Sequence, residues 1–182
     1  MKYLLNAIIV VFTALLFLGN TPPTEENKKV QWISFEEAVA KARVTPKKIF
    51  IDVYTDWCGW CKRMDANTFS HPDIAQYMNE NFYCIKFDAE QKEDVVLGNQ
   101  TFKFVPQGPK GYHQLAAALL QNKMSYPTVV FLDEGFNMIT PVPGYRDPAG
   151  MDALLKYFAE DHYKDTDINK FLQEYSSPYN TK

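Results

Sequence analysis

Two cysteines three positions apart, in Trp57-Cys58-Gly59-Trp60-Cys61, follow almost directly on the apolar residues Ile49, Phe50, Ile51, Val53 and Tyr54. That adjacency constrains the fold more than any other feature of the chain. An apolar strand handing over to a helix through Cys-x-x-Cys is a pattern of dithiol redox chemistry. On the first helical turn, positions i and i+3 share a face, so a disulfide can form and break with little backbone movement. The unpaired N–H groups and the dipole at a helix N-terminus also favour a thiolate. Cys58 is therefore expected to be the nucleophile and Cys61, one turn deeper, the resolving thiol.

A strand apolar on both faces belongs in the middle of a sheet covered by helices. Asp52 interrupts this one. An unpaired carboxyl there is costly to bury as the anion, so its pKa should rise towards neutrality. Asp52 is expected to accept the proton of Cys61, through a water. The competing reading is a structural aspartate bonded to neighbouring backbone.

Farther along, Tyr126-Pro127-Thr128 precedes Val129, Val130, Phe131 and Leu132. Proline is tolerated at the first position of a strand, and a cis bond there makes a tight turn. Residues 57–62 with Asp52 six residues before Cys58, together with residues 125–133, resemble the thioredoxin superfamily, in which a cis-proline loop faces the Cys-x-x-Cys. The resemblance covers about residues 30–163. It implies that Cys58 attacks substrate disulfides, that Cys61 resolves the mixed disulfide, and that Asp52 is the buried acid. It further implies that Trp57 shields the sulfurs and that the backbone of Tyr126 and a cis Pro127 line the peptide groove, so the expected substrate-facing set is Trp57, Gly59, Trp60, Tyr126 and Pro127. Trp60 departs from the family pattern, which has proline there, and a changed dipeptide is expected to shift the reduction potential.

The expected architecture is α/β: a thioredoxin-like fold with a central mixed sheet flanked by helices, an insertion before the cis-proline loop and an added C-terminal helix. Ser34-Phe35-Glu36-Glu37 reads as a capping box, Pro72 opens a helix, residues 82–88 form a strand, and Asp147 caps a helix starting at Pro148. Asp133-Glu134-Gly135 signals a tight hairpin turn. Within the insertion, about residues 89–125, residues 101–105 alternate like one edge strand, 106–111 form a turn cluster and 113–121 a helix. This organisation resembles exported thioredoxin-related proteins of Bacteroidetes-type bacteria. Residues 164–182 read as an amphipathic extension behind Asp167.

Met1-Lys2 followed by an apolar segment over residues 4–18 reads as a secretory signal peptide, residues 1–20, too short for a comfortable membrane span. An uncleaved tether is the alternative, and a membrane is a partner only in that case. Residues 21–29 read as a solvated linker. The expected location is therefore the periplasm, free or tethered to the inner membrane. A net charge of −3 over 182 residues gives no support for nucleic acid as a partner. One Cys-x-x-Cys, a lone Cys84 and three scattered histidines are too few ligands for a structural zinc knuckle, so no metal site is expected. Cys84 reads as a small buried hydrophobe, with a regulatory thiol as the alternative. Lys62 and Arg63 either support the thiolate or form a solvated face.

Two classes of function remain. The first is an exported protein thiol:disulfide oxidoreductase, preferably a reductase, with no cofactor beyond the cysteine pair. It would act on disulfide-bearing client proteins and draw electrons from a membrane thiol donor. An oxidase or isomerase is the alternative within that class. The second class is a non-catalytic binding or copper-handling module.

Overall fold

A computed structural model describes residues 28–108 and 110–180. The expected signal peptide, residues 1–20, and residues 21–27 of the expected linker lie outside the described residues. The apolar run becomes β1 (Lys48–Tyr54), the second strand of a four-stranded sheet of order β2-β1-β7-β8. β2 (Phe82–Asp88) runs parallel to β1, while β7 (Thr128–Leu132) is antiparallel to β1 and β8 (Met138–Pro143) antiparallel to β7. The sheet is therefore mixed. Upstream of β1, Trp32 bridges Cys84 of β2, and Ile33 N–H donates to the Cys84 carbonyl at 2.9 Å. The opposite edge, β8, carries Pro141 and Pro143, which have no donor to offer a further strand.

The two-residue period of β1 sorts its side chains between two cores. Ile49, Ile51 and Val53 pack with Ile85 and Phe87 under α1 (Phe35–Ala42) and the short helix α4 (Gln114–Leu119). Phe50 packs with Phe82, Val129 and Phe131 on the other face. That face is covered by Met64 of α2 (Gly59–Met64), by α3 (Pro72–Asn81) and by α5 (Pro148–Ala159). Asp52 shares the parity of Phe50, so it points into the layer that contains α2. The expected caps form: Ser34 accepts from Glu37 N–H, Asp147 from Gly150 N–H, and Asp167 from the first turn of α6 (Ile168–Glu174).

The C-terminal segment is tied to the domain by hydrogen bonds. Asp152, buried on α5, accepts from Tyr175 Oη and Ser177 Oγ, each at 2.7 Å, and Tyr157 Oη donates to the Thr166 carbonyl.

The insertion differs from the expected single edge strand. It forms two hairpins, β3 (Val95–Leu97) with β4 (Gln100–Phe102) and β5 (Phe104–Gln107) with β6 (Lys110–His113). Lys103 is the break, because its backbone N–H donates to Gln114 Oε1 and its carbonyl accepts from Gln114 N–H, which takes it out of any ladder. Pro106 and Gly111, expected in a turn, pair across the second hairpin. A Cβ at Gly111 would stand 2.6 Å from the Val105 carbonyl, so the hairpin requires glycine there. The β7–β8 turn is also longer than expected. Its left-handed residue is Phe136, φ 64°, and not Gly135, because Asp133 Oδ1 collects N–H bonds from both Gly135 and Asn137 and closes a wider loop.

Candidate active site

Cys58 is the N-cap of α2 and Cys61 sits in its first turn, and the two are joined by a disulfide with their Cα atoms 5.3 Å apart. The Cys58 N–H donates to the Thr55 carbonyl at 3.0 Å, closing the turn that carries the chain from β1 into the helix. Cys58 Sγ accepts from Cys61 N–H at 3.0 Å, so a backbone donor that the helix leaves unpaired is aimed at the first sulfur. Both cysteines are buried.

Trp57 and Trp60 flank the disulfide and are 64% and 55% exposed, so neither is a core aromatic. Trp57 Nε1 donates to Glu90 Oε1 at 3.0 Å, and its ring meets Tyr126 edge-on at 5.9 Å. The Tyr126–Pro127 bond is cis. Gly144 N–H donates to the Pro127 carbonyl at 2.8 Å and Thr128 Oγ1 donates to the Ser125 carbonyl at 2.7 Å, fixing the turn on both sides. Burial, reinforced by Glu90 and Asp88, pushes the Tyr126 phenol well above its ordinary value. Trp60 lies 5.4 Å from the ring of Tyr145, and the Arg63 guanidinium covers both rings, at 5.2 and 5.7 Å. Gly59 is exposed and has open space where a Cβ would stand.

Asp52 is fully buried, as expected, but it is not unpaired. Lys86, its register partner on β2, places Nζ 2.9 Å from Oδ2, while Oδ1 has no hydrogen-bond partner. Burial raises the Asp52 carboxyl to about 6 against the opposing pull of Lys86, and Asp65 adds to the rise. Lys86 also pairs with Asp65, at the start of a π-helical turn (Asp65–Phe69) that continues α2. Burial pulls the Lys86 ammonium down, and the two carboxylates outweigh it and hold it above its ordinary value. The rings of Trp32, Tyr54 and Phe69 surround the ammonium at 4.8 to 5.6 Å. An open cleft of about 510 Å³, lined in part by Trp32, Asp65, Phe69 and Lys86, reaches this cluster from the surface.

Lys86, Asp65 and Glu90 are not singled out by the sequence, and Arg63, expected as thiolate support or a solvated face, instead covers the rings of Trp60 and Tyr145. Lys86 did leave a signal: a lysine between Ile85 and Phe87 interrupts an apolar strand just as Asp52 interrupts its neighbour. Cys84 is a buried free thiol on β2, and burial pushes its pKa far up, which suits packing. Among the described residues no cluster of three or more His, Cys, Asp or Glu could hold a metal ion, and no helix is long and apolar enough to cross a membrane.

The family described as Thioredox_DsbH, protein of unknown function (DUF255), matches residues 23–140. Spermatogenesis-associated protein 20 of Mus musculus is 36% identical over 74 residues, 40% of this chain and 9% of that protein. The thiol:disulfide interchange protein DsbD of Klebsiella pneumoniae is 30% identical over 125 residues, 66% of this chain and 17% of that protein. The chain thus spans less than a fifth of either relative's length. A solved structure described as DsbH oxidoreductase superposes with a TM-score of 0.52 at 16% identity, covering 85% of this chain and 99% of that one, which shows a shared thioredoxin-like fold.

Proposed function

The chain belongs to the Thioredox_DsbH family, and on that premise we propose that it is an exported protein-disulfide reductase that works through Cys58 and Cys61 with no further cofactor. The observation that carries this reading is the Cys58–Cys61 disulfide at the start of α2, on the helix that follows β1 and its buried Asp52, with the adjoining Trp57 ring against Tyr126 of the cis Tyr126–Pro127 turn. In the reduced protein the Cys58 thiolate attacks one sulfur of a client disulfide. A Cys58–client bond forms, and the other client sulfur leaves as a thiolate and takes up a proton. Cys61 then gives its proton to Asp52, whose carboxyl, raised to about 6, is suited to exchange protons near neutrality. The Cys61 thiolate attacks Cys58 Sγ, the intramolecular disulfide forms, and the client leaves with two electrons gained.

The clients are disulfide-bearing proteins outside the cytoplasm, and the electrons return from a membrane thiol donor. The apolar N-terminal sequence and the likeness to DsbD, a thiol:disulfide interchange protein, support this placement. The test is to equilibrate the cysteine pair against a glutathione buffer. A potential near thioredoxin's roughly −270 mV is expected, and one near the roughly −120 mV of a strong oxidant would overturn the reductase direction. Reduction of insulin disulfides with a chemical donor separates turnover from mere client binding.

A further inference from the structure

Each of the two exposed tryptophans beside the disulfide holds a charge of opposite sign. Glu90 accepts from the Trp57 indole, and Arg63 lies over the face of Trp60. Among the described residues neither Glu90 nor Arg63 has an ion-pair partner. The charges are held in place, since Trp57 is wedged against Tyr126 and Arg63 is shared between Trp60 and Tyr145. The two tryptophans that adjoin Cys58 and Cys61 in the chain thus carry an anionic ledge and a cationic one, each with an apolar floor exposed to solvent. A surface of that kind attracts one sign of charge at each ledge and repels the other, so it discriminates among clients through repulsion as well as attraction.

We propose that the preferred clients are polypeptide segments whose reactive cysteine has a cationic side chain on one flank and an anionic side chain on the other, the cation meeting Glu90 beside Trp57 and the anion meeting Arg63 beside Trp60. This rests on the exchange chemistry proposed above and names its substrate class. Aromatic ledges strengthen the selection, because a client side chain lying on Trp57 or Trp60 is partly desolvated and its charge is screened less than in open water.

The experiment uses pre-reduced protein and four synthetic peptides, each with one cysteine in a mixed disulfide with 2-thiopyridine. Attack by Cys58 at the peptide sulfur releases 2-thiopyridone, and Cys61 then frees the reduced peptide, so no outside reductant is needed. The flanks are basic then acidic, acidic then basic, both basic, or both acidic. At low ionic strength one mixed order should react about three- to tenfold faster than the reverse order, and the difference should collapse at about 1 M salt. Glu90→Lys, with two cationic ledges, should favour the all-acidic peptide. Arg63→Glu, with two anionic ledges, should favour the all-basic one, and the double variant should favour the reverse mixed order. Equal rates for both mixed orders in the wild type would overturn the proposal. So would variants that scale all four peptides by one common factor, since the charges would then act on the cysteine and not on the client. Wild-type protein that reacts with every peptide no faster than a free thiol would instead sink the exchange chemistry itself.

Discussion

Lys86 Nζ lies 2.9 Å from Asp52 Oδ2 across the β1–β2 register, joining a fully buried carboxyl to a cation that also reaches Asp65 near the surface. Burial decides how Asp52 behaves with pH, and the pair opposes it.

Asp52→Asn should stabilise the protein at neutral pH and slow the resolving step. A carboxyl whose pKa is raised on folding, here from 3.8 to about 6, has its full stability below the unfolded value and loses it as pH rises through the window from about 4 to about 6. The ionised form then weighs up to about 3 kcal/mol against the fold. Because Asn also deprives Lys86 of one partner, the expected gain is about 1–2 kcal/mol at pH 7.5, vanishing below pH 4. Denaturant midpoints across pH check the first claim and stopped-flow decay of the mixed disulfide the second. Unchanged turnover with lower stability would make Asp52 purely structural.

Lys86→Gln should act in the opposite sense. It leaves Asp52 buried without a cation, so the carboxyl should rise further and the protein should lose on the order of 3 kcal/mol above pH 6. The loss should shrink as pH falls and Asp52 becomes neutral. An Asp52→Asn/Lys86→Gln double variant closes the cycle, and additive effects would show that the two residues do not interact.

The two cysteines should divide their labour. Cys58→Ser should abolish exchange, whereas Cys61→Ser should attack but not resolve, so that clients accumulate as mixed disulfides through Cys58. The trapped adducts can be counted by mass spectrometry after acid quench. Trapping by Cys58→Ser and not by Cys61→Ser would reverse the assignment.

His113 should make the insertion acid-sensitive. It is fully buried as the N-cap of α4, where Nδ1 accepts from Leu115 N–H and Nε2 faces the Glu93 carbonyl, an arrangement only the neutral ring with its proton on Nε2 can make. Burial lowers its pKa, against the opposing pull of Glu93 and Asp94. A base lowered on folding contributes stability that is present above its unfolded value of about 6.5 and is lost as pH falls below it. The protection of amides in residues 93–116, taken relative to intrinsic exchange at each pH, should therefore fall between pH 6.5 and 5 in the wild type, and His113→Asn should flatten that dependence. A wild-type profile with no step there would refute it.

Removing residues 175–182 should destabilise the whole domain. Asp152 would lose both Tyr175 Oη and Ser177 Oγ and remain on α5 without its hydrogen bonds, a loss of roughly 2–4 kcal/mol. Thermal unfolding of the truncated chain measures it, and an unchanged midpoint would make the segment an independent appendage.

Local signals made most of this legible in the sequence. Cys58, Cys61, Asp52 and Pro127 each announce themselves through a short-range conflict with their surroundings: thiols at a helix start, a carboxyl in an apolar strand, a proline directly before one. The core strands and the caps at Ser34, Asp147 and Asp167 follow from periodicity and hydrogen-bonding chemistry for the same reason. What the sequence hides is pairing at a distance. Lys86 is 34 residues from Asp52, Glu90 is 33 from Trp57, and Gln114 interrupts the strand at Lys103 from 11 residues away. None of these contacts has a local period to betray it.

The two prolines of β8 have a consequence for solubility. A polypeptide built around a mixed sheet invites its own copies to dock along bare margins and grow into fibres. Here Pro141 and Pro143 remove amide protons along one margin, and Trp32 already occupies a place on the other by bridging to Cys84. Crowding of the folded protein should therefore yield discrete particles and not ribbons, because one border of the sheet lacks two donors and the other is already bridged at Cys84.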